Sequence, residues 1–144
     1  MTRKASRRES VHRSFRLASS LSERLVRRAE ETGESANKLG ARYIEEGLRM
    51  DEHPLIRFRE GAAGRRAALA GTRLDVWQVV ETLRNSGSSI EETADYLSIP
   101  ETWVRACARY YAAYPDEVNA LTERERAAAA REEELWRGEQ AVLA

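Results

Sequence analysis

Cysteine occurs once in the 144 residues, at Cys107, and proline three times. A single thiol excludes an internal disulfide framework and fits a reducing cytosol, so a cytoplasmic location is expected. No apolar run approaches the ~18 residues of a membrane span. The basic start, Arg3-Lys4 and Arg7-Arg8, is followed by polar residues where a signal peptide would carry an apolar core, so none is expected. There are two histidines, His12 and His53. They fall in different segments, and no metal-ligand cluster, nucleophile motif or carboxylate pair in a plausible cleft accompanies them. Neither metal, cofactor nor enzymatic activity is therefore expected. The Gly61-Ala62-Ala63-Gly64 stretch lies among arginines but lacks the lysine and helix start of a phosphate-binding loop.

Net charge is also lacking, with 24 basic and 24 acidic residues. The zero hides an asymmetry. Residues 1–50 carry 12 Lys/Arg against 7 Asp/Glu, a net of +5. Residues 51–114 carry 8 against 9, a net of −1, and residues 115–144 carry 4 against 8, a net of −4. A basic head, a neutral middle and an acidic tail suggest nucleic acid at one end and a different partner at the other.

The head opens with a weak alternating pattern. Val11, Phe15 and Leu17 share one face of a strand, with Arg13 as the exception, and His12, Ser14 and Arg16 share the other. A stronger helix signal follows. Ser20 and Glu23 have capping-box spacing, Leu21, Leu25 and Ala29 recur every fourth residue beside Val26, and Gly33 suits the stop. Ser35 is a good N-cap for a second helix, whose apolar face is Ala36, Leu39, Tyr43, Ile44, Gly47 and Leu48. One strand and two short helices cannot bury a core alone, and a lone strand leaves its backbone unpaired. A second copy would solve both problems with a two-fold antiparallel ribbon over four helices. Such a ribbon fits the DNA major groove.

The stretch RSFRLASSLSERLVRRAEETGESANKLGARYIEEGLR resembles the ribbon-helix-helix repressors over roughly residues 10–50. The resemblance implies that the outward strand residues His12, Ser14 and Arg16 read bases while Phe15 and Leu17 are core. It also implies a phosphate held at the second helix's N-terminus, near Ser35, Ala36 and Asn37. Free N–H groups and the helix dipole favour an anion there. Arg13 stands where the family often has an apolar residue, and a one-residue slip of register would exchange the two faces. The arm of Arg3, Lys4, Arg7 and Arg8 suits sequence-blind phosphate contacts.

In the middle, Leu55–Phe58 reads as a short strand, and Arg66–Leu69 with Thr72–Leu74 as a small hairpin around Ala70-Gly71. Asp75 can cap a helix ended by Gly87, and Ser89 the next one. Pro100 suits the first position of a third. The run ETADYLSIPETWVRACARYY has helix-turn-helix spacing, with Ala94 at the crossing and Ser98 at a turn position often held by glycine. Thr93, Leu97, Ile99, Val104 and Cys107 fall at core positions. DNA contact by this unit would use Thr102, Arg105 and Arg109. The other reading is a small helical domain using the same shape for dimer or partner contacts. The segments HPLIRFREGAAGRRAALAGTRLDVWQVVETLRNSG and YYAAYPDEVNA resemble domain-of-unknown-function family four-three-three, from about His53 to Ala120. That resemblance implies an antitoxin-like DNA-binding protein encoded beside a nuclease-like toxin of the PIN type.

Pro115-Asp116-Glu117 starts a last helix, expected to run to about Gly138. Leu121, Ala128, Leu135 and Val142 are seven apart, but Glu125 and Glu132 spoil the second seam position of a coiled coil. A single stripe of Leu121, Ala128 and Leu135 with Trp136 suits docking in a partner groove. The alternative is a solvated helix lying against its own domain.

The expected fold is thus mainly α. It comprises a basic arm (1–10), a dimeric ribbon-helix-helix module (11–52), a helix-turn-helix-like domain with a short β-hairpin (53–114) and an acidic C-terminal helix (115–144). The expected function is that of a type II antitoxin, a homodimeric autorepressor of operator DNA that also neutralises a PIN-type toxin. The alternative is a stand-alone dimeric repressor without a toxin.

Overall fold

The structure is a computed structural model and describes residues 9–144. Among these residues six helices and two short strands follow one another. They are α1 (Ser19–Thr32), α2 (Ala36–Glu52), β1 (Ile56–Arg59), β2 (Arg66–Leu69), α3 (Val76–Asn85), α4 (Ile90–Leu97), α5 (Glu101–Ala113) and α6 (Pro115–Leu143). The chain forms two compact units that divide between Tyr43 and Ile44, inside α2, whereas the sequence placed a boundary at 52–53. The division falls early because Glu46 and Arg49, in the second half of α2, bond to residues of the second unit.

In the first unit the expected strand is not formed. Residues 9–18 carry no regular secondary structure and are exposed. The physical reason is pairing, since an isolated strand has no ladder to satisfy its backbone. The Ser20–Glu23 capping box is not formed either. α1 starts at Ser19 with Ala18 as N-cap and no side-chain cap bond, which places Ser20 inside the first turn. The stop is as expected: Gly33 has φ 71°, a left-handed conformation that glycine adopts without a Cβ penalty. Ser35 caps α2 by accepting the Lys38 N–H at 3.1 Å. Ala29 and Leu39 are buried, and Gly40 of α2 lies beside Leu25 of α1.

The second unit is built around a hairpin and four helices. β1 and β2 pair antiparallel, Ile56 opposite Leu69 and Phe58 opposite Ala67. The hairpin turn is Gly61–Gly64, closed by reciprocal backbone bonds of 3.1 and 3.0 Å. The sequence expectation of a hairpin around Ala70-Gly71 is therefore corrected. There Thr72 folds the chain back locally, donating from its hydroxyl to Leu69 O at 2.8 Å and accepting the Leu74 N–H at 3.0 Å. Only a single bridge, Ala68 to Asp75, continues the sheet on that side.

Ile56, Leu69, Val76, Val79, Val104, Cys107 and Tyr110 are fully buried and form the core with Ala94 and Val118. α4 and α5 make the expected helix-turn-helix. Ser89 caps α4 through the Glu92 N–H, Thr93 is buried, and Ser98 takes the turn at φ 56°. Serine bears there a left-handed strain that glycine would not. Pro100 is the N-cap of α5, one residue before the position expected for it. α6 begins with Pro115 in its first turn. Its 29 residues span roughly 43 Å. Val118, Leu121 and Thr122 are buried, whereas every residue from Ala129 onward is exposed.

One carboxylate joins these parts. Asp75 caps α3 in a reciprocal box with Gln78, whose side chain accepts the Asp75 N–H at 2.8 Å. The same carboxylate accepts from Arg59 of β1, from Arg66 of β2 at 3.0 Å and from the Trp77 indole at 3.2 Å. Arg66 also pairs with Glu125 of α6. Its guanidinium lies against Gly61, where any Cβ would collide with it. Asp75 and Arg66 are both buried. Asp75→Ala is expected to lower stability by about 3 kcal/mol, the scale for removing one partner of a buried pair, with loss of a helix cap included. Denaturant unfolding of the purified variant measures it, and a loss below about 1 kcal/mol would contradict this role.

Candidate nucleic-acid interface

The candidate site begins on the exposed segment before α1. His12, Ser14 and Arg16 are exposed, as the base-reading expectation requires. Val11 and Phe15, expected to be core, are 79% and 62% exposed in the single chain, and Leu17 is exposed too. Both faces of the segment are therefore open. At the start of α2, Asn37 and Lys38 are exposed and Ala36 is partly so. A helix leaves its first N–H groups without intrahelical acceptors, and Ser35 takes one of them. That leaves donors beside an exposed lysine, an arrangement that suits a phosphate. The arm residues Arg3, Lys4, Arg7 and Arg8 lie outside the described residues.

In the second unit, Thr102, Arg105 and Arg109 are exposed on one side of α5, spaced three and four residues apart. No ion pair engages either arginine among the described residues. Glu101 is exposed in the same first turn, and Glu91, Glu92 and Asp95 of α4 are exposed nearby in sequence. The helix-turn-helix thus carries two free arginines amid more acidic groups, a weak footprint for DNA. On α6, Leu135 and Trp136 are exposed and Ala128 is partly so. Leu121 is 5% exposed and belongs to the interior of its own unit, so it cannot dock in a partner groove. Its place in the seven-residue repeat put it in the expected stripe. The stripe turns inward at this point because α6 packs against the domain over its first half.

A second polar cluster has no local signature in the sequence. Arg49 of α2 is buried and donates to Tyr110 at 2.8 Å, to Glu117 at 2.8 Å and to Glu45 at 2.7 Å. Its guanidinium lies 3.8 Å from the centre of the Tyr114 ring, and His53 meets Tyr110 and Tyr114 edge-on. Burial opposes the charge of Arg49, but its bonds to Glu45, Glu117 and Tyr110 outweigh that and raise its pKa. Burial and the Glu117 carboxylate push the Tyr110 phenol up. Arg49, Tyr110 and Glu117 bond to one another, and the cluster serves packing. Its members are 61 and 68 residues apart, beyond any local pattern. Among the described residues no group of His, Cys, Asp and Glu is arranged to hold a metal ion.

Cys107 is fully buried, and burial pushes its thiol up to about 12. At neutral pH the thiolate, which is the reactive form, is almost absent. A thiol reagent is expected to label the native protein only through unfolding, at a rate that follows denaturant concentration. Rapid labelling without denaturant would overturn this.

No curated protein and no solved structure matches the chain. Residues 56–111, which span β1 through most of α5, match the family model described as "Protein of unknown function (DUF433)".

Proposed function

We propose that the chain is the antitoxin of a type II toxin-antitoxin system, a homodimer that represses its own operon and neutralises a nuclease-like, PIN-type toxin. The observation that carries the DNA half is the segment Val11–Leu17. It alternates apolar and polar residues, yet neither side is covered and its backbone has no ladder. Pairing with the same segment of a second copy would satisfy that backbone, bury Phe15 and Leu17 against the helices and leave His12, Ser14 and Arg16 outward. A ribbon of this kind enters the major groove, and an arginine can there make the bidentate contact to guanine that is the commonest specific one. The charge of the head supports the same reading, since residues 1–50 hold a net +5. The toxin half rests on the resemblance of the middle domain and on the exposed distal half of α6.

Two variants test the halves separately. Arg16→Ala is expected to lose roughly 1–3 kcal/mol on DNA from the chain's own promoter, the scale of one good base contact. Unchanged affinity in a titration at fixed salt would reject the segment as reader. Removal of residues 129–144, all exposed, is expected to abolish binding of the adjacent gene's product while leaving promoter affinity within about twofold. Unimpaired partner binding by the shortened chain would remove α6 from the reading. Full promoter repression with no partner at all would favour the stand-alone repressor.

A further inference from the structure

The distal half of α6 is an unbroken helix left exposed by the other residues of its own unit. An ordinary solvated helix would be polar all round. This one exposes Leu135, Trp136, Val142 and Leu143, with Leu135 at 67% and Val142 at 84%. At 100° per residue, Ala128, Leu135 and Val142 form one row, and Trp136 and Leu143 a second row beside it. Glu132 and Glu139 lie between the two rows. Repeats seven residues apart recur every ~10.5 Å along the axis.

The glutamates decide what can lie on this stripe. Glu133 on the outer face is paired with Arg137 at 2.6 Å. Glu132 and Glu139 have no partner among the described residues, so the negative charge inside the apolar stripe is uncompensated. A second copy of α6 would place four such carboxylates in one seam and bury them unpaired. A lipid surface suits helices whose polar flanks are Lys/Arg-rich, and an anionic bilayer would repel this one. Nucleic acid is repelled for the same reason. The remaining complement is a protein groove with apolar pockets and cations between them.

We propose that residues 128–143 dock as a helix into an apolar groove of another protein that presents Lys or Arg side chains to Glu132 and Glu139. This deepens the toxin-binding reading of α6 and rests on it only for the partner's identity. The carboxylates fix register as well as charge. A shift of the helix by one turn would set each glutamate against an apolar pocket.

The test uses the full chain in cells of its own organism, with a photoreactive aromatic side chain installed at Trp136 or, on the opposite face, at Glu134. The expected result is a discrete protein adduct from position 136 and none from position 134. Glu132→Gln with Glu139→Gln is expected to lower the adduct yield roughly tenfold, as loss of two interfacial charge pairs should. Glu133→Gln with Glu134→Gln, outside the stripe, is expected to change it less than about twofold. Circular dichroism of each variant checks that α6 stays helical. The proposal is overturned by an adduct to a second copy of the chain, to lipid or to nucleic acid. It is equally overturned by no adduct specific to position 136, or by equal losses from the two glutamine pairs. The adduct's identity bears separately on the antitoxin reading. A charge-dependent adduct to a protein other than the adjacent gene's product upholds the docking helix and removes the toxin.

Discussion

The Asp75 carboxylate accepts hydrogen bonds from both strands of the hairpin while capping the helix that follows them. Through Arg66 it is linked to Glu125 on α6, so one buried acid sets the hairpin, α3 and the first half of α6 against one another. The arrangement holds because Arg66 has two carboxylates and Asp75 has two arginines, and a buried charge is tolerable only when it is paired and hydrogen-bonded. The small side of the hairpin follows from it. A side chain at Gly61 would displace the Arg66 guanidinium from the place where it meets Asp75 and Glu125. Around this node the apolar core closes on Ile56, Leu69, Val79, Val104 and Tyr110.

The core of the second unit is closed in a way that two exposed segments are not. Its polar clusters pair internally, and its helix-turn-helix packs on the same core. The segment before α1 and the distal half of α6 instead expose large apolar side chains without cover. These two stretches have opposite charge in the sequence, the head basic and the tail acidic. Opposite charge calls for chemically different partners, and the proposed polyanion for one and cationic groove for the other follow that difference.

Much of the fold was legible in the sequence wherever a local rule applied. Gly33, Ser35, Asp75, Ser89 and Pro115 mark helix ends because capping depends on a few neighbouring residues. The helix-turn-helix was legible from its small residue at the crossing and its periodic core positions. Errors arose where the outcome depended on distant pairing. Ala70-Gly71 looks like the turn of a hairpin over Arg66–Leu74, but β2 pairs with β1 instead. Leu121 and Leu135 share a repeat position, yet one is interior and the other exposed, because α6 packs on its own unit only over its first half.

The sequence by itself determined several helix ends, where charge of each sign is concentrated and which unit carries helix-turn-helix spacing. Those properties are set by interactions within a turn or two of the chain. Only the tertiary structure decided that Asp75 is a hub as well as a cap, that Arg49 is buried among Tyr110 and Glu117, and that α6 is half anchor and half free arm. Each of those depends on which surfaces meet across dozens of residues. A carboxylate or an apolar stripe has the same local pattern whether or not another element covers it.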